Sequence, residues 1–293
     1  DVPFLVGSVR MQLNARQMSL HAIQYCVLHA TRDRDGHLQA ETDWRKPGKG
    51  KLPEAIIYIE FDHHSDKDVL QQLTESLHSV LEEVRCCVED FTAITRRADE
   101  VSQHLATVQV EGIAEALAFM RWLGGNHFTF LASDEFHFER EGDNEFVVRD
   151  GEQDLGTFRF HKKADRTRLK LQDLPADIHD FITGTSPVSF MKSGVRSRVH
   201  RPAYPDYVVV KRYNDAGEVI GGVRFMGLYT SMVYIETPNN IPIVRNKLAQ
   251  VRDQANFNPV SHNGKELNRI LEVYPRDELF QSSVEQLYKT AIS

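Results

Sequence analysis

Glycine beside lysine is the first pattern to weigh for chemistry, because backbone amides in a glycine-rich turn cradle phosphate while a lysine neutralises it. Gly48-Lys49-Gly50-Lys51-Leu52-Pro53 has proline where a dinucleotide fingerprint needs its third glycine, and it neither follows a strand nor opens a helix. Gly50-Lys51 is followed by Leu52 and Gly264-Lys265 by Glu266, where a phosphate loop requires Ser or Thr. The sequence has no GxSxG elbow and no HExxH helix. Asp62-His63-His64-Ser65-Asp66 gathers metal-compatible side chains, but adjacent histidines at a strand end point to opposite faces, so a solvated turn with Ser65 as helix cap is the expectation. A hydrolase built on Asp62, His63 or His127 has no nucleophile spaced beside a base. Cys86 and Cys87 are neighbours on a helical pattern, so one thiol is expected inside and one outside, and Cys26, on a strand pattern, is expected in the core. No catalytic, cofactor-binding or metal-ligating residue is assigned.

One basic run stands out: Lys192, Arg196, Arg198, His200, Arg201, Lys211 and Arg212. Arginine forks accept carboxylate or phosphate in bidentate fashion, so the run can serve ion pairing within the protein, small-anion binding, or nucleic acid. Arg196, Arg198 and Arg201 are the candidates for holding the carboxylate of an amino-acid ligand. The alternative is a nucleic-acid module using segment 192–212. Against it, 35 Lys and Arg face 42 Asp and Glu, a formal net charge of −7, and Tyr204, Tyr207 and Tyr213 follow strand alternation rather than a stacking platform.

These residues need a scaffold, and 293 residues at 41% hydrophobic and 26% charged content can bury one. No apolar stretch approaches the roughly 20 residues that span a bilayer. With three cysteines and no visible signal peptide, a reducing cytoplasm is expected. A short helix is read over 3–16, strands over 19–31 and 54–61 with an Asp33-Arg34-Asp35-Gly36 turn after the first, and an exposed loop over 45–53. The clearest helix follows Ser65, with Val69, Leu73, Leu77, Val80, Val84, Val88, Phe91 and Ile94 on one stripe and Glu82, Glu83, Arg85 and Glu89 assigned to water. A second helix over 112–123 is expected to close at Gly124-Gly125 through a left-handed glycine. Strands are read over 127–138, 146–149, 156–161, 168–171 and 188–192, with a short helix to Ile182 among them. A hairpin over 207–213 and 218–229 turns at Asn214-Asp215-Ala216-Gly217. Helices fill 242–254, 264–273, 275–281 and 284–291.

Several segments in order resemble the amino-terminal, non-catalytic region of the large bacterial NAD-specific glutamate dehydrogenases. They are Pro3-Phe4-Leu5-Val6 with Ser8-Val9-Arg10, FMRWL (119–123) with HFTFL (127–131), Ser197 to Pro202, Asp206-Tyr207, RFMGLYT (224–230) and YPRDELFQ (274–281). Gly7 stands where that pattern suggests Asp, and Gly222-Val223 where it suggests Glu-Arg. The elements read as an α+β chain: over 1–98 the order of a truncated βαββαβ unit whose first strand lies upstream of Asp1, which fits the ACT-like module that the resemblance implies, then a polar linker over 99–111, an antiparallel-sheet module with flanking helices over 112–236, and a helical tail over 237–293. The resemblance implies a regulatory or assembly role beside a downstream catalytic domain of the same chain, in a homo-oligomer that deaminates L-glutamate to 2-oxoglutarate and ammonia with NAD. A small amino-acid effector is the expected ligand. NAD belongs to the parent enzyme and no cofactor to this piece; neither nucleic acid nor membrane is an expected partner.

Overall fold

A computed structural model describes residues 2–39, 45–160 and 166–292, and the chain divides into two compact units. The first comprises Asp1–Glu89 with Arg196–Ala203, the second Asp90–Val195 with Tyr204–Ser293. This division differs from the one expected from composition, because the long helix runs on through residues 99–111's first half and a distant loop returns to the first unit.

The first unit starts with α1 (Leu5–Ala15), then β1 (Leu20–Ala30) and β2 (Leu52–Phe61), which pair antiparallel with Ile23 opposite Ile59 and Cys26 opposite Ile56. The turn after β1 forms as its aspartate dictates: Asp33 Oδ1 accepts from the amides of Asp35 (3.0 Å) and His37 (2.9 Å), closing a bridge between Arg32 and Leu38. Next comes α2 (Lys67–Leu105), whose residues to Glu89 belong here. Its cap is Asp66, not Ser65, since the Asp66 carboxylate accepts from the amides of Asp68 (2.8 Å) and Val69 (3.4 Å). Val9, Leu13, Met18 and Leu73 form the core, with Ile57, Ile59 and Phe61 packed on it from one face of β2. Cys26 lies on the other face beside half-exposed Ile56, so it is exposed rather than core. The order helix, strand, strand, helix is that of the implied α+β module; its sheet holds β1 and β2 among the described residues.

In the second unit α3 (Ile113–Trp122) is followed by β3 (Phe128–Glu141), β4 (Asn144–Asp150), β5 (Leu155–Gly156), α4 (Thr157–Phe160) and β6 (Arg166–Lys170). Then come α5 (Ala176–Thr183), β7 (Val188–Lys192), β8 (Asp206–Tyr213) and β9 (Val219–Tyr229). The strands form one antiparallel seven-stranded sheet in the order β6-β4-β3-β9-β8-β7, with β5 on β3. The strand expected over 156–161 is only its first residue, because 157–160 turn helical, and His161 lies outside the described residues. Asn126 (φ 66°), not a glycine, makes the left-handed exit after α3; asparagine tolerates that conformation.

A bulge decides the architecture of this sheet. Register shifts between Phe130 and Ala132, so Phe128 and Phe130 face one side while Phe136 faces the other. On the first side lies the main core, Phe128, Phe130, Val208, Val210, Val223 and Phe225 meeting α3 and the end of α2. Residues 99–111, expected as linker, begin as that helix end, with Val101 and Leu105 fully inside. The helices α6 (Ser231–Ile235), α7 (Val244–Ala255), α8 (His262–Val273), α9 (Arg276–Gln281) and α10 (Val284–Ile292) are no detached tail, since Leu248, Leu271, Phe280 and Leu287 belong to this same core. On the second side α5 covers Phe136 and Val209 with Phe181 and Ile182. Gly222 fits because a Cβ there would meet the Phe136 ring at 2.9 Å and the Val210 carbonyl at 2.9 Å.

The two most distinctive motifs meet in the main core. Tyr229 of RFMGLYT stacks on Phe280 of YPRDELFQ (centroids 4.6 Å apart, 13° between planes), and Phe119 of FMRWL abuts the same ring at 5.9 Å. Beside them Lys192 donates to buried Asp206 (2.9 Å) and to Asp277 (2.8 Å), and Asp277 accepts from Tyr234 (2.9 Å). Burial pushes the Asp206 carboxyl up to about 6, the lysine working the other way.

Phe280→Ala should cost about 3–5 kcal/mol, the range for emptying a buried ring, read as a drop in urea midpoint at unchanged slope. The unfolded chain holds the Asp206 carboxyl near the ordinary aspartate value, so between about pH 4 and pH 6 the folded chain binds a proton that the unfolded chain releases. Stability from this group is therefore gained as pH falls from 7 toward 5 and lost as pH rises. Asp206→Asn should flatten that part of the stability curve in urea titrations at pH 7 and pH 5; a curve parallel to wild type would assign the slope to other groups.

Candidate effector site

The basic run does not form a patch. Lys192 is spent on Asp206 and Asp277, and Arg212 donates to Glu135 at 2.6 Å. Lys211 is fully buried with its ammonium on the Phe181 carbonyl, and burial brings its pKa down to about 7. Arg196 to Ala203 belongs to the other unit. Nothing in the arrangement of segment 192–212 supports the nucleic-acid alternative.

Within the first unit, that segment is strapped onto both helices. The His200 amide donates to Ser8 of α1 (3.1 Å), its ring lies 4.8 Å from that of Phe4, and burial lowers its pKa, with Arg201 adding to the effect. His200 also explains Gly7, where a Cβ would stand 3.0 Å from the His200 carbonyl. Arg198 reaches α2, donating from Nη1 to Glu83 (2.7 Å) and Ser79 (3.1 Å) and from Nη2 to the Ser76 carbonyl (3.3 Å). Glu83, expected to face water, is 2% exposed. A signal for it exists in the sequence: Ser76, Glu83 and Asp90 recur every seven residues, and all three are buried polar groups on one side of α2. Cys86 and Cys87 are both buried for the same reason, since α2 is covered over a wide arc from Glu83 to Asp90.

Arg198 lines an open polar groove of about 490 Å³ with Gln12 and Arg16 from α1 and Gln72, Glu75, Ser76 and Ser79 from α2. Its floor is a buried hydrogen bond from Ser76 to Gln12 (2.8 Å). Two cations, Arg16 and Arg198, and two acids, Glu75 and Glu83, balance the local charge. Arg198 Nε has no partner among the described residues, so the fork keeps a donor beyond those given to Glu83. Arg196 and Arg201 share the loop but do not line the groove, so the three predicted arginines do not converge.

The other candidates serve structure. His21 pairs with Asp62 at 2.8 Å, and hydrogen bonds from Ser19 and His21 hold the Asp62 carboxyl below its usual range. His127 stacks on Trp122 (4.4 Å) with Nδ1 on the Trp122 carbonyl (2.7 Å) and Nε2 beside Glu236 (3.3 Å), leaving no nucleophile beside it. Asp33, Asp35 and His37 approach within 4.8 Å of one another but are exposed, and Asp33 is engaged in its own turn. The glycines at 48 and 50 precede β2 instead of joining a strand to a helix, so this loop lacks the setting of a dinucleotide fingerprint. No described helix is long and apolar enough to cross a membrane.

The helix-strand-strand-helix order of the first unit is consistent with an ACT-like module, and a second sheet unit with packed helices follows it in the chain. Residues 1–77 match the family described as glutamate dehydrogenase, ACT1 domain, and residues 241–293 match glutamate dehydrogenase, helical motif 1. Over its whole length the chain is 40% identical to the NAD-specific glutamate dehydrogenases of Halomonas elongata and Pseudomonas aeruginosa, and over 98% of it 24% identical to that of Mycobacterium tuberculosis. It spans 18% of the length of the first two and 17% of the third. The chain corresponds to the amino-terminal, ACT1-bearing region of the large NAD-specific glutamate dehydrogenases.

Arg198→Met should destabilise the protein by about 1–3 kcal/mol, because it removes a charge-assisted hydrogen bond from the buried Glu83 carboxylate. Arg198→Met combined with Glu83→Leu should recover part of that loss in urea denaturation. A double variant no better than the single one would show that Glu83 matters for something other than this pair.

Proposed function

We propose that this chain is the regulatory and assembly region of an NAD-dependent glutamate dehydrogenase, itself without catalytic residues, in a cytoplasmic homo-oligomer. The carrying observation is the end-to-end identity to enzymes of that name together with the ACT1 match over residues 1–77. The parent chain would convert L-glutamate, NAD and water to 2-oxoglutarate, ammonium and NADH through a catalytic domain downstream of these units. The groove is the proposed effector site: Arg16 and Arg198 face a ligand carboxylate and Glu75 an ammonium, the charge set that an amino acid brings. Of the three arginines expected to grip a carboxylate, Arg198 is best supported, with Arg196 and Arg201 secondary.

Binding at the groove changes activity only if it favours one arrangement of the parent enzyme over another. The chain passes between the units three times, at 89–90, 195–196 and 203–204, so the loop that carries Arg198 is bonded at both ends to the sheet unit. In an assay of NADH formation, the full-length chain should turn over glutamate and residues 1–293 alone should not. Turnover by the region alone would remove the regulatory assignment. Among amino acids added to the full-length enzyme, at least one should shift the glutamate KM or the kcat, and Arg16→Gln with Glu75→Gln should abolish that response. A response that survives both changes would place the effector elsewhere.

A further inference from the structure

We infer that the second unit holds a binding cavity for a small apolar monocarboxylate, between the sheet and α5 and separate from the effector groove. The bulge in β3 creates it: the register shift turns Asp134 and Phe136 toward α5, beside Val147 and Arg149 of β4, Leu169 of β6 and Arg224 of β9. Leu174, Ile178 and Ile182 form the opposite wall. The cavity, partly open to solvent, has a volume of about 280 Å³, space for on the order of nine water-sized groups at roughly 30 Å³ each.

The two ends of the cavity differ in chemistry. One is aliphatic and aromatic. At the other, Arg149 donates to Asp134 Oδ2 (2.9 Å), and Arg224 donates to Asp134 Oδ1 from Nε (2.9 Å) and to Oδ2 from Nη2. Asp134 is 1% exposed, so its two oxygens, with three charge-assisted bonds already, have little left to offer a ligand. The donors are not exhausted: Arg149 Nε and Nη2 and Arg224 Nη1 bond to no described residue. Asp154, 3.7 Å from Arg149, offsets charge without taking up those donors. Arg224 lies against the paired rings of Phe158 (4.8 Å) and Tyr207 (5.3 Å), which with its bonds to Asp134 hold its fork in place.

Surplus guanidinium donors at one end and apolar walls at the other select an anion with a hydrocarbon tail. An ammonium group is disfavoured here, because three hydrogen bonds already take up most of what Asp134 can accept and two arginines repel it. A second carboxylate would have to sit among Val147, Leu169 and Ile178 without a partner, at a desolvation cost. The ligand class is therefore an aliphatic monocarboxylate of about six carbons, not an amino acid or a dicarboxylate.

Titration calorimetry of the full-length chain with 4-methylpentanoate tests this, with leucine and 4-methylpentan-1-amine as controls. Saturable binding of the acid is expected, weakened about tenfold or more by Arg149→Gln, which removes one charged donor while Arg224 keeps Asp134 paired. Ile178→Trp should abolish binding by filling the cavity; where circular dichroism shows that variant unfolded, Arg149→Gln decides alone. Absence of saturable binding at millimolar acid, equal binding of the amine, or unchanged affinity in a folded Arg149→Gln would overturn the inference.

Discussion

Where the sheet of the second unit is covered on both faces, a charge on a strand has no water to rest in, and this constraint orders the middle of the unit. Isolated ions in such surroundings are costly to keep, so the buried ones are met by an opposite charge or a hydrogen-bonding group. Asp134 and Glu135 are adjacent on β3 and point to opposite faces. The first is met by Arg149 and Arg224, the second by Arg97 (3.1 Å) and Arg212 (2.6 Å). Asp206 is met by Lys192, and Lys211 by a carbonyl. Of the cations in segment 192–212, Lys192 answers Asp206 and Asp277, Arg212 answers Glu135, and Arg198, in the other unit, answers Glu83. What reads along the chain as one basic run is, for these three, a set of separate answers to separate acids.

Most elements were legible because local periodicity determines them. Apolar spacing of three and four located α1, the first half of α2 and α7 to α10, and the Asn214 to Gly217 turn placed the β8–β9 hairpin, since these patterns record which face is buried. The failures share a cause. Cys26 was misplaced because β1 alternates apolar residues on both faces, and only the register with β2 shows which face meets α1. Glu83 was given to water because its partner, Arg198, is 115 residues away. The bulge at residue 131 left an unbroken run of strand-like residues, so nothing local marked the change of face. Residues 99–111 were read as linker from polarity, although Val101 and Leu105 carry the helical stripe onward.

The candidate site was legible only in part. That an arginine of the 196–201 loop would meet a carboxylate was readable from residue type, and Arg198 does meet one, but it is the protein's own. Once Glu83 is counted, the groove is neutral overall rather than basic, which changes the ligand it suits from a bare anion to a zwitterion. Of the three arginines, Arg198 lines the groove between α1 and α2, whereas Arg196 and Arg201 do not.

The groove and the cavity solve opposite problems with similar parts. In the groove, Arg198 is paired with one buried acid through one nitrogen, and acids of the rim remain open to a cation, so both signs of a ligand can be answered. In the cavity, Asp134 is shared by two arginines, which takes up most of its acceptor capacity and leaves guanidinium donors facing the space. The donors and acceptors left over after internal pairing, not the presence of arginine, therefore set what each site suits. An arginine count taken from the sequence cannot yield that remainder, because each partner sits on a different element and is brought in by register, bulge and helix phase.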